Sequence, residues 1–182
     1  MTNPPALAAD QLWPTTSTVR EFIRRDRAAN PRDPKAQLVL VLLRACQVVM
    51  RDRRNPTLPG KVLSAAYRAL TEMVFGIELR PKTRVGPGVS IYHGYGLVVN
   101  DQCVIGSDVK LRNGVTIGHA HEGGPVPTIG DGVSFGAGAI ALGGITIGGG
   151  ATIAAGAVVV KSIPDGATAI GNPATVRPSP MR

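Results

Sequence analysis

The chain has 182 residues, a formal net charge of +8 and only 4% aromatic residues, enough for one core or for a solenoid with a small cap. No apolar run reaches the roughly 18 residues that span a bilayer, and the opening MTNPPALAADQLWP lacks the basic-then-apolar order of a secretory signal. The charge is uneven: residues 1–84 hold 15 Lys+Arg against 7 Asp+Glu, whereas residues 85–182 hold 5 against 5. The excess gathers at Arg24, Arg25, Arg27, Arg51, Arg53 and Arg54. It fits either a solvated helix face or attraction to an anionic partner, such as a phosphorylated substrate or lipid head groups. Nucleic acid is not expected, because no stacking aromatics are interleaved with these cations. Cys46 and Cys103 form no ligand spacing and read as buried, small apolar residues of a cytoplasmic protein.

In chain order, residues 1–14 hold three prolines and read as an irregular arm. Residues 15–30 read as a helix with Ser17 and Thr18 as candidate N-caps and an apolar stripe of Val19, Phe22 and Ile23. Pro31 and Pro34 break it. A second helix is expected over 35–54, whose apolar run from Leu38 to Leu43 calls for burial against helices or neighbouring subunits; a membrane-surface role is the alternative. Asn55, Pro56, Pro59 and Gly60 make the next break. A third helix is expected over 61–76, stopping at Gly76.

Beyond residue 84 the pattern changes. Ile129, Phe135, Ala141, Ile147, Ile153 and Val159 are spaced six apart, and Val85, Ile91 and Leu97, then Ile105, Leu111 and Ile117, repeat the same interval. A period of six fits neither an α-helix nor an isolated strand; it is the hexapeptide signature of a β-helix. Each hexad supplies one short strand and one corner, three hexads make an 18-residue triangular coil, and stability comes from stacking coils. The domain reading is a helical cap and arm over 1–79, a β-helix over 80–164 and a closing segment over 165–182. Two interruptions stand out: a two-residue bulge at Asp101–Gln102, and the Gly/Pro-rich stretch 118–127, expected to be an extruded loop carrying binding groups. The glycines of 136–150 are explained by the hexads; without a Gly-Lys-Ser/Thr ending they make no phosphate loop.

His93, on the glycine-flanked bend of GVSIYHGYGLVVN (88–100), is the candidate general base, since imidazole exchanges a proton near neutral pH. The hexads, this bend, GVTIG (114–118), PTIGDGVSFGAGA (127–139), VVVKSIP (158–164) and AIGNPA (169–174) resemble the serine acetyltransferase family. The chain is more similar still to the exopolysaccharide branch, the colanic-acid-type O-acetyltransferases, with which it shares YRALTEMVFGIEL (67–79). The resemblance spans residues 61–174. It implies an all-β left-handed parallel β-helix (the hexapeptide solenoid) behind the N-terminal α-helical cap. It also implies a homotrimer or dimer of trimers, and acetyl-CoA bound between subunits as acyl donor, with no metal.

The resemblance further implies site roles. His93 matches the family's catalytic histidine, and Glu78, fifteen residues earlier, stands where an acidic residue orients it; an ion pair of Glu78 with Arg80 or Arg84 is the alternative. Ala137, Ala155 and Lys161 match donor-binding positions, Lys161 either meeting a phosphate or standing solvated. The arginine of the closing motif is replaced by Thr175, leaving Arg177 nearest. Serine acetyltransferases place an acidic residue before the base and Arg-His-Pro in the loop; here those places hold Tyr92 and Pro125-Val-Pro127. A zwitterionic acceptor needs charged partners, whereas Tyr92 and Tyr95 offer flat surfaces to a sugar ring. The expected reaction is therefore acetylation of a sugar hydroxyl on a surface or exopolysaccharide precursor. Serine O-acetylation is the alternative acceptor reading, and a zinc-dependent carbonic anhydrase-like lyase, from a related trimeric fold, is the alternative of another class. His119 and His121 read as acceptor-binding groups at the rim, as solvated loop residues, or as zinc ligands. The cap's cations allow peripheral contact with the inner face of the membrane.

Overall fold

The computed structural model describes residues 12–50 and 56–178; most of the expected arm, the end of the expected second helix and Arg51, Arg53 and Arg54 lie outside them. Helix α1 (Val19–Ala29) starts four residues later than the sequence suggests. Thr18 holds the N-cap position, but its hydroxyl accepts from the Thr15 amide at 2.9 Å and not from the helix. Helix α2 (Pro34–Met50) begins at a residue expected to break the chain. Proline suits a first helical turn, where its missing N–H has no partner to lose, and the Asp33 carboxylate caps the turn by accepting from the Ala36 amide at 2.9 Å. Helix α3 (Leu58–Arg68) is capped by the Thr57 hydroxyl and runs into a π-helical turn (Ala69–Val74). Gly76, at φ +62°, then turns the chain into the first strand.

From there five coils stack. Strands β1 (Ile77–Leu79), β2 (Arg84–Val85) and β3 (Ser90–Tyr92) form the first, and β4 (Leu97–Val99), β5 (Val104–Ile105) and β6 (Lys110–Arg112) the second. The third has β7 (Thr116–Gly118), β8 (Thr128–Ile129) and β9 (Ser134–Phe135), and the fourth β10 (Ile140–Leu142), β11 (Thr146–Ile147) and β12 (Thr152–Ile153). The last holds β13 (Val158–Val159), a bridge at Ile163 and β14 (Thr168–Ile170); β15 (Thr175–Arg177) folds back antiparallel on β14 and ends the stack. These strands line up as three parallel sheets, β1-β4-β7-β10-β13, β2-β5-β8-β11 and β3-β6-β9-β12-β14, the last edged by β15. The stack thus begins at Ile77 and continues through Ile170, a little beyond 80–164 at each end: Ile77 and Leu79 pair with Leu97 and Val99, and Ala169 pairs with Ile153.

All twelve hexad positions are buried, each at most 2% exposed. The strand register locates both interruptions. Ile129 pairs with Ile147 and Ser134 with Thr152, each a regular step of 18. Leu79 pairs with Val99, Val85 with Ile105 and Ile91 with Leu111, steps of 20, whereas Val99 pairs with Ile117, a step of 18 again. The two extra residues therefore lie between Ile91 and Val99, in the bend that carries His93, and not at Asp101–Gln102. Leu97 obscured this in the sequence: it falls on the six-residue interval and is buried, but Val99 is the residue in register with the shaft. Val104 pairs with Thr128, a step of 24, so the Gly/Pro-rich loop adds six residues without disturbing the stack. The glycine that follows half of the inward residues has its own cause. A Cβ on Gly136 would stand 2.3 Å from the Ala155 amide nitrogen of the next coil.

The first coil has no coil beneath it, and buried backbone polar groups need partners. Helices α1 and α2 supply them. Asp26 Oδ1 accepts from the Gly88 and Val89 amides at 2.8 and 3.2 Å. Asn30 accepts from the Ile91 amide and donates to the Val89 carbonyl. Arg44 donates to the Val85 and Gly86 carbonyls, both at 2.7 Å, and Gln47 to the Thr83 carbonyl. Asp26 and Arg44 are themselves a fully buried ion pair at 2.9 Å. Side chains thus imitate the missing coil.

Candidate active site

The corner between β3 and β4 holds the two inserted residues and the candidate base. His93 adopts φ +63°, a left-handed conformation uncommon outside glycine. Gly94 follows at φ +65° and is buried, because a Cβ there would stand 2.8 Å from both Ile77 Cδ1 and Ile91 Cγ2. The bend therefore closes over the core and leaves His93 exposed. Lys35 of α2 donates its ammonium to the His93 carbonyl, which ties the bend to the cap. Two amides of the bend are already used: Gly94 N–H donates to the Tyr92 carbonyl at 2.7 Å and Gly96 N–H to the Gly76 carbonyl at 2.8 Å. Neither is available as an oxyanion donor in this conformation.

The same corner recurs up the stack through Tyr95, Asn113, Ala137 and Ala155. Its backbone bonds run in one column: Gly114 N–H donates to the Tyr95 carbonyl, Gly138 N–H to Asn113 and Gly156 N–H to Ala137, each at 2.9 Å. His93, Tyr95 and the two alanines expected to meet the donor thus share one edge of the prism. Thr175, opposite Ile170, comes next to this edge; Arg177 pairs with Thr168 further along the sheet. Tyr92 lies on the adjoining face, with the Arg112 guanidinium 5.2 Å from its ring centroid. Arg112 is held in turn by the Phe135 carbonyl at 2.8 Å. Tyr95 covers Gly76, where a Cβ would come within 3.2 Å of the ring.

The other expected residues are elsewhere. Glu78 is ion-paired with Arg80 Nη2 at 2.8 Å, and among the described residues no hydrogen bond joins it to His93. Arg80 also reaches Glu72, at 3.3 Å. Lys161, His119 and His121 belong to the corner between the first and second sheets, where Gly143 N–H donates to the Gly118 carbonyl and the loop leaves the stack. His119 Nδ1 is buried without a hydrogen-bond partner among the described residues. The His121 ring fills the space over Gly124, where a Cβ would lie 2.6 Å from it. The three histidines therefore occupy two different corners. Cys46 and Cys103 are buried free thiols; burial pushes them up to about 11 and about 12. Sequence reasoning missed Lys35 and Arg112. The hexad register held a signal for Arg112, which pairs with Tyr92; nothing local announces Lys35.

Comparison with known proteins agrees with this fold. Residues 127–161 match the model of the hexapeptide repeat of succinyl-transferase. A protein of Escherichia coli strain K12 named as a putative colanic acid biosynthesis acetyltransferase, WcaB, is 42% identical over 133 residues, covering 72% of this chain and 82% of that protein. The chain belongs to the hexapeptide-repeat acyltransferases. Soybean serine acetyltransferase, as the apoenzyme, superposes with a TM-score of 0.74 at 33% identity, over 88% of this chain and 69% of that one. A serine acetyltransferase solved in complex with CoA superposes with a TM-score of 0.70 at 27% identity, over 89% and 71%. This acyltransferase is accordingly a left-handed parallel β-helix with an N-terminal helical region, and an acetyltransferase by family.

Proposed function

We propose that this protein is an acetyl-CoA-dependent O-acetyltransferase acting on a sugar hydroxyl of a surface or exopolysaccharide precursor, with His93 as general base. The observation that carries the proposal is the shared edge: an exposed imidazole on a strained bend, in line with Ala137 and Ala155, whose small side chains leave room for a pantetheine arm. His93 removes the proton of the acceptor hydroxyl as its oxygen attacks the thioester carbonyl. The tetrahedral intermediate then expels the CoA thiolate, which takes that proton back from the imidazolium. Glu78 orients the imidazole in the working enzyme, which requires it to leave Arg80; a carboxylate on the second ring nitrogen fixes the tautomer and stabilises the cation. Tyr92, held beside Arg112, and Tyr95 are the acceptor platform, and His119 and His121, on the loop corner, reach its rim from a neighbouring subunit. Lys161 and Arg177 serve the donor's phosphates. Because Lys161 and the two alanines occupy different corners of one chain, a homotrimer that brings one subunit's loop corner to its neighbour's His93 edge completes the donor site. The reaction belongs on the cytoplasmic side, with the donor.

Serine as acceptor is the competing reading, favoured by the structural neighbours that are serine acetyltransferases. It is disfavoured by Tyr92 and by the loop's Pro125-Val-Pro127. Thiol release from acetyl-CoA, measured against oligosaccharide acceptors and against serine, decides between them. Saturable turnover of serine with efficiency equal to that of a sugar would reject the glycan reading. His93→Ala is expected to lose at least about a hundredfold in thiol release at an unchanged assembly mass; retained activity would move the base to His121.

A further inference from the structure

One surface is unused by this chemistry. Helix α3 and the π-helical turn that continues it bury Tyr67 and Thr71 against the rest of the molecule and turn Leu58, Val62, Ala65, Ala66, Ala69 and Met73 outward. The spacing of four, three, one, three and four keeps these residues on one side of the helix. The large members are far from buried: Leu58 is 75% exposed, Val62 65% and Met73 84%. Scattered exposed apolar residues are ordinary, but a continuous stripe of them marks a contact surface.

What borders the stripe identifies the partner. Helix α3 carries Lys61 and Arg68 and no acidic residue. Beside it opens a cavity of about 600 Å³, lined by Lys61 and Arg68 from the helix and by Arg80, Lys82 and Asp101 from the solenoid. Lys61, Ala65 and Arg68 line the cavity from the same helix that bears the stripe. The carboxylates facing these cations are Glu72, shared by Arg68 and Arg80, Glu78, held by Arg80, and Asp101. The wider charge has the same sign, since the entire excess of +8 lies in residues 1–84. A second copy of the chain would meet its own cations across such a face, and like charges disfavour that contact. An anionic bilayer answers both features, taking apolar side chains at the acyl boundary and cations at the phosphates.

We propose that α3 and its π-helical continuation lie in the surface of an anionic lipid bilayer, with Leu58, Val62 and Met73 inserted and the cavity between α3 and the first coil receiving a lipid phosphate. This inference does not depend on which hydroxyl is acetylated, and it concerns surface attachment, since among the described residues no helix is long and apolar enough to cross a membrane.

The test uses the full chain in flotation with vesicles of phosphatidylcholine alone and of phosphatidylcholine with 30% phosphatidylglycerol (roughly the anionic content at which surface attraction is appreciable). Binding is expected to the anionic vesicles only, and to fall about tenfold or more between low and high salt. Val62→Asp with Met73→Asp is expected to lower binding at least about tenfold while thiol release and assembly mass stay unchanged. Lys61→Gln, a surface change that leaves the fold alone, is expected to weaken binding to anionic vesicles by about fivefold. Equal binding to both vesicle types, or none to either, would overturn the proposal. So would a smaller assembly in the double variant, which would make the stripe an interface between copies. Inorganic phosphate that releases the protein from vesicles would show the cavity working as a phosphate site; equal release by chloride at the same ionic strength would remove the cavity from the proposal and overturn that element of it.

Discussion

Replacing Asp26 by alanine should detach the helical cap from the solenoid, and the cost follows from what the carboxylate touches. Its two oxygens neutralise Arg44 inside the protein, at 2.9 and 3.4 Å, and one of them accepts from the Gly88 and Val89 amides. Alanine removes the counter-charge and leaves the guanidinium buried. Arg44 keeps its bonds to the Val85 and Gly86 carbonyls and to Gln47 Oε1, so it has little freedom to move into water. Breaking one side of such a pair costs about 3–5 kcal/mol, and the two amides stripped of their acceptor keep the value at the upper end of that range. Typical domains have only about 5–15 kcal/mol in total. The assay is urea unfolding followed by far-ultraviolet circular dichroism at fixed subunit concentration, which separates a change of midpoint from a change of cooperativity. Glu21→Ala is the control: it removes the exposed ion pair with Arg24 and should leave the midpoint where it is. An Asp26→Ala loss below about 1 kcal/mol, the typical effect of an ordinary substitution, would refute the view that these side chains stand in for a missing coil. Arg44→Met added to Asp26→Ala should not restore full stability, because it orphans the Val85 and Gly86 carbonyls.

Further outcomes test the stack and its core. Gly136→Ala should cost more than Gly138→Ala. The first forces a methyl against the Ala155 backbone at 2.3 Å and must push adjacent coils apart, whereas the second meets open space at φ +66° and costs about 1–2 kcal/mol of backbone strain; equal losses by thermal unfolding would refute the close-approach argument. The buried thiols predict alkaline sensitivity. Burial holds Cys46 protonated to about 11 and Cys103 to about 12, both from 9.0, with Asp101 adding to the effect at Cys103. The folded state thus keeps protons that the unfolded chain releases, so the stabilisation is complete below pH 9 and is lost as pH rises from 9 toward 11–12. Each thiol should contribute a slope of up to about 1.4 kcal/mol per pH unit, and Cys103→Ala should flatten the curve over that window; an unchanged slope would count against it.

The solenoid was legible because a hexapeptide repeat reports its own packing. An inward residue every six positions can be satisfied only by stacking, so Ile91, Phe135 and Val159 announce the shaft without any long-range information. The bend at His93 was legible for a related reason, as glycines flanking a polar residue mark a corner. Its two extra residues were not, because Leu97 and Val99 are both apolar and only pairing with Ile77 and Leu79 tells which one continues the column. What else eluded sequence reasoning depends on partners remote in the chain. Pro34 was read as a breaker although it starts a helix, since only the Asp33 cap and the packing of α2 decide the matter. Asp26, Asn30 and Arg44 carry nothing in the sequence that marks them as buried, yet Arg44 and Asp26 close the first coil from 41 and 63 residues away along the chain.

The site divides in the same way. Sequence by itself determined the repeat, the histidine at the bend and the loop, since spacing alone encodes them. Tertiary structure decided that His93, Tyr95, Ala137 and Ala155 share an edge while Lys161, His119 and His121 stand on another. It also decided that Glu78 is held by Arg80 and that Lys35 and Arg112 support the bend and its tyrosine. The physical reason is that a coil converts distance along the chain into a position around a triangle. Which corner a residue reaches depends on every insertion before it, and which cations and carboxylates then pair depends on how the cap docks.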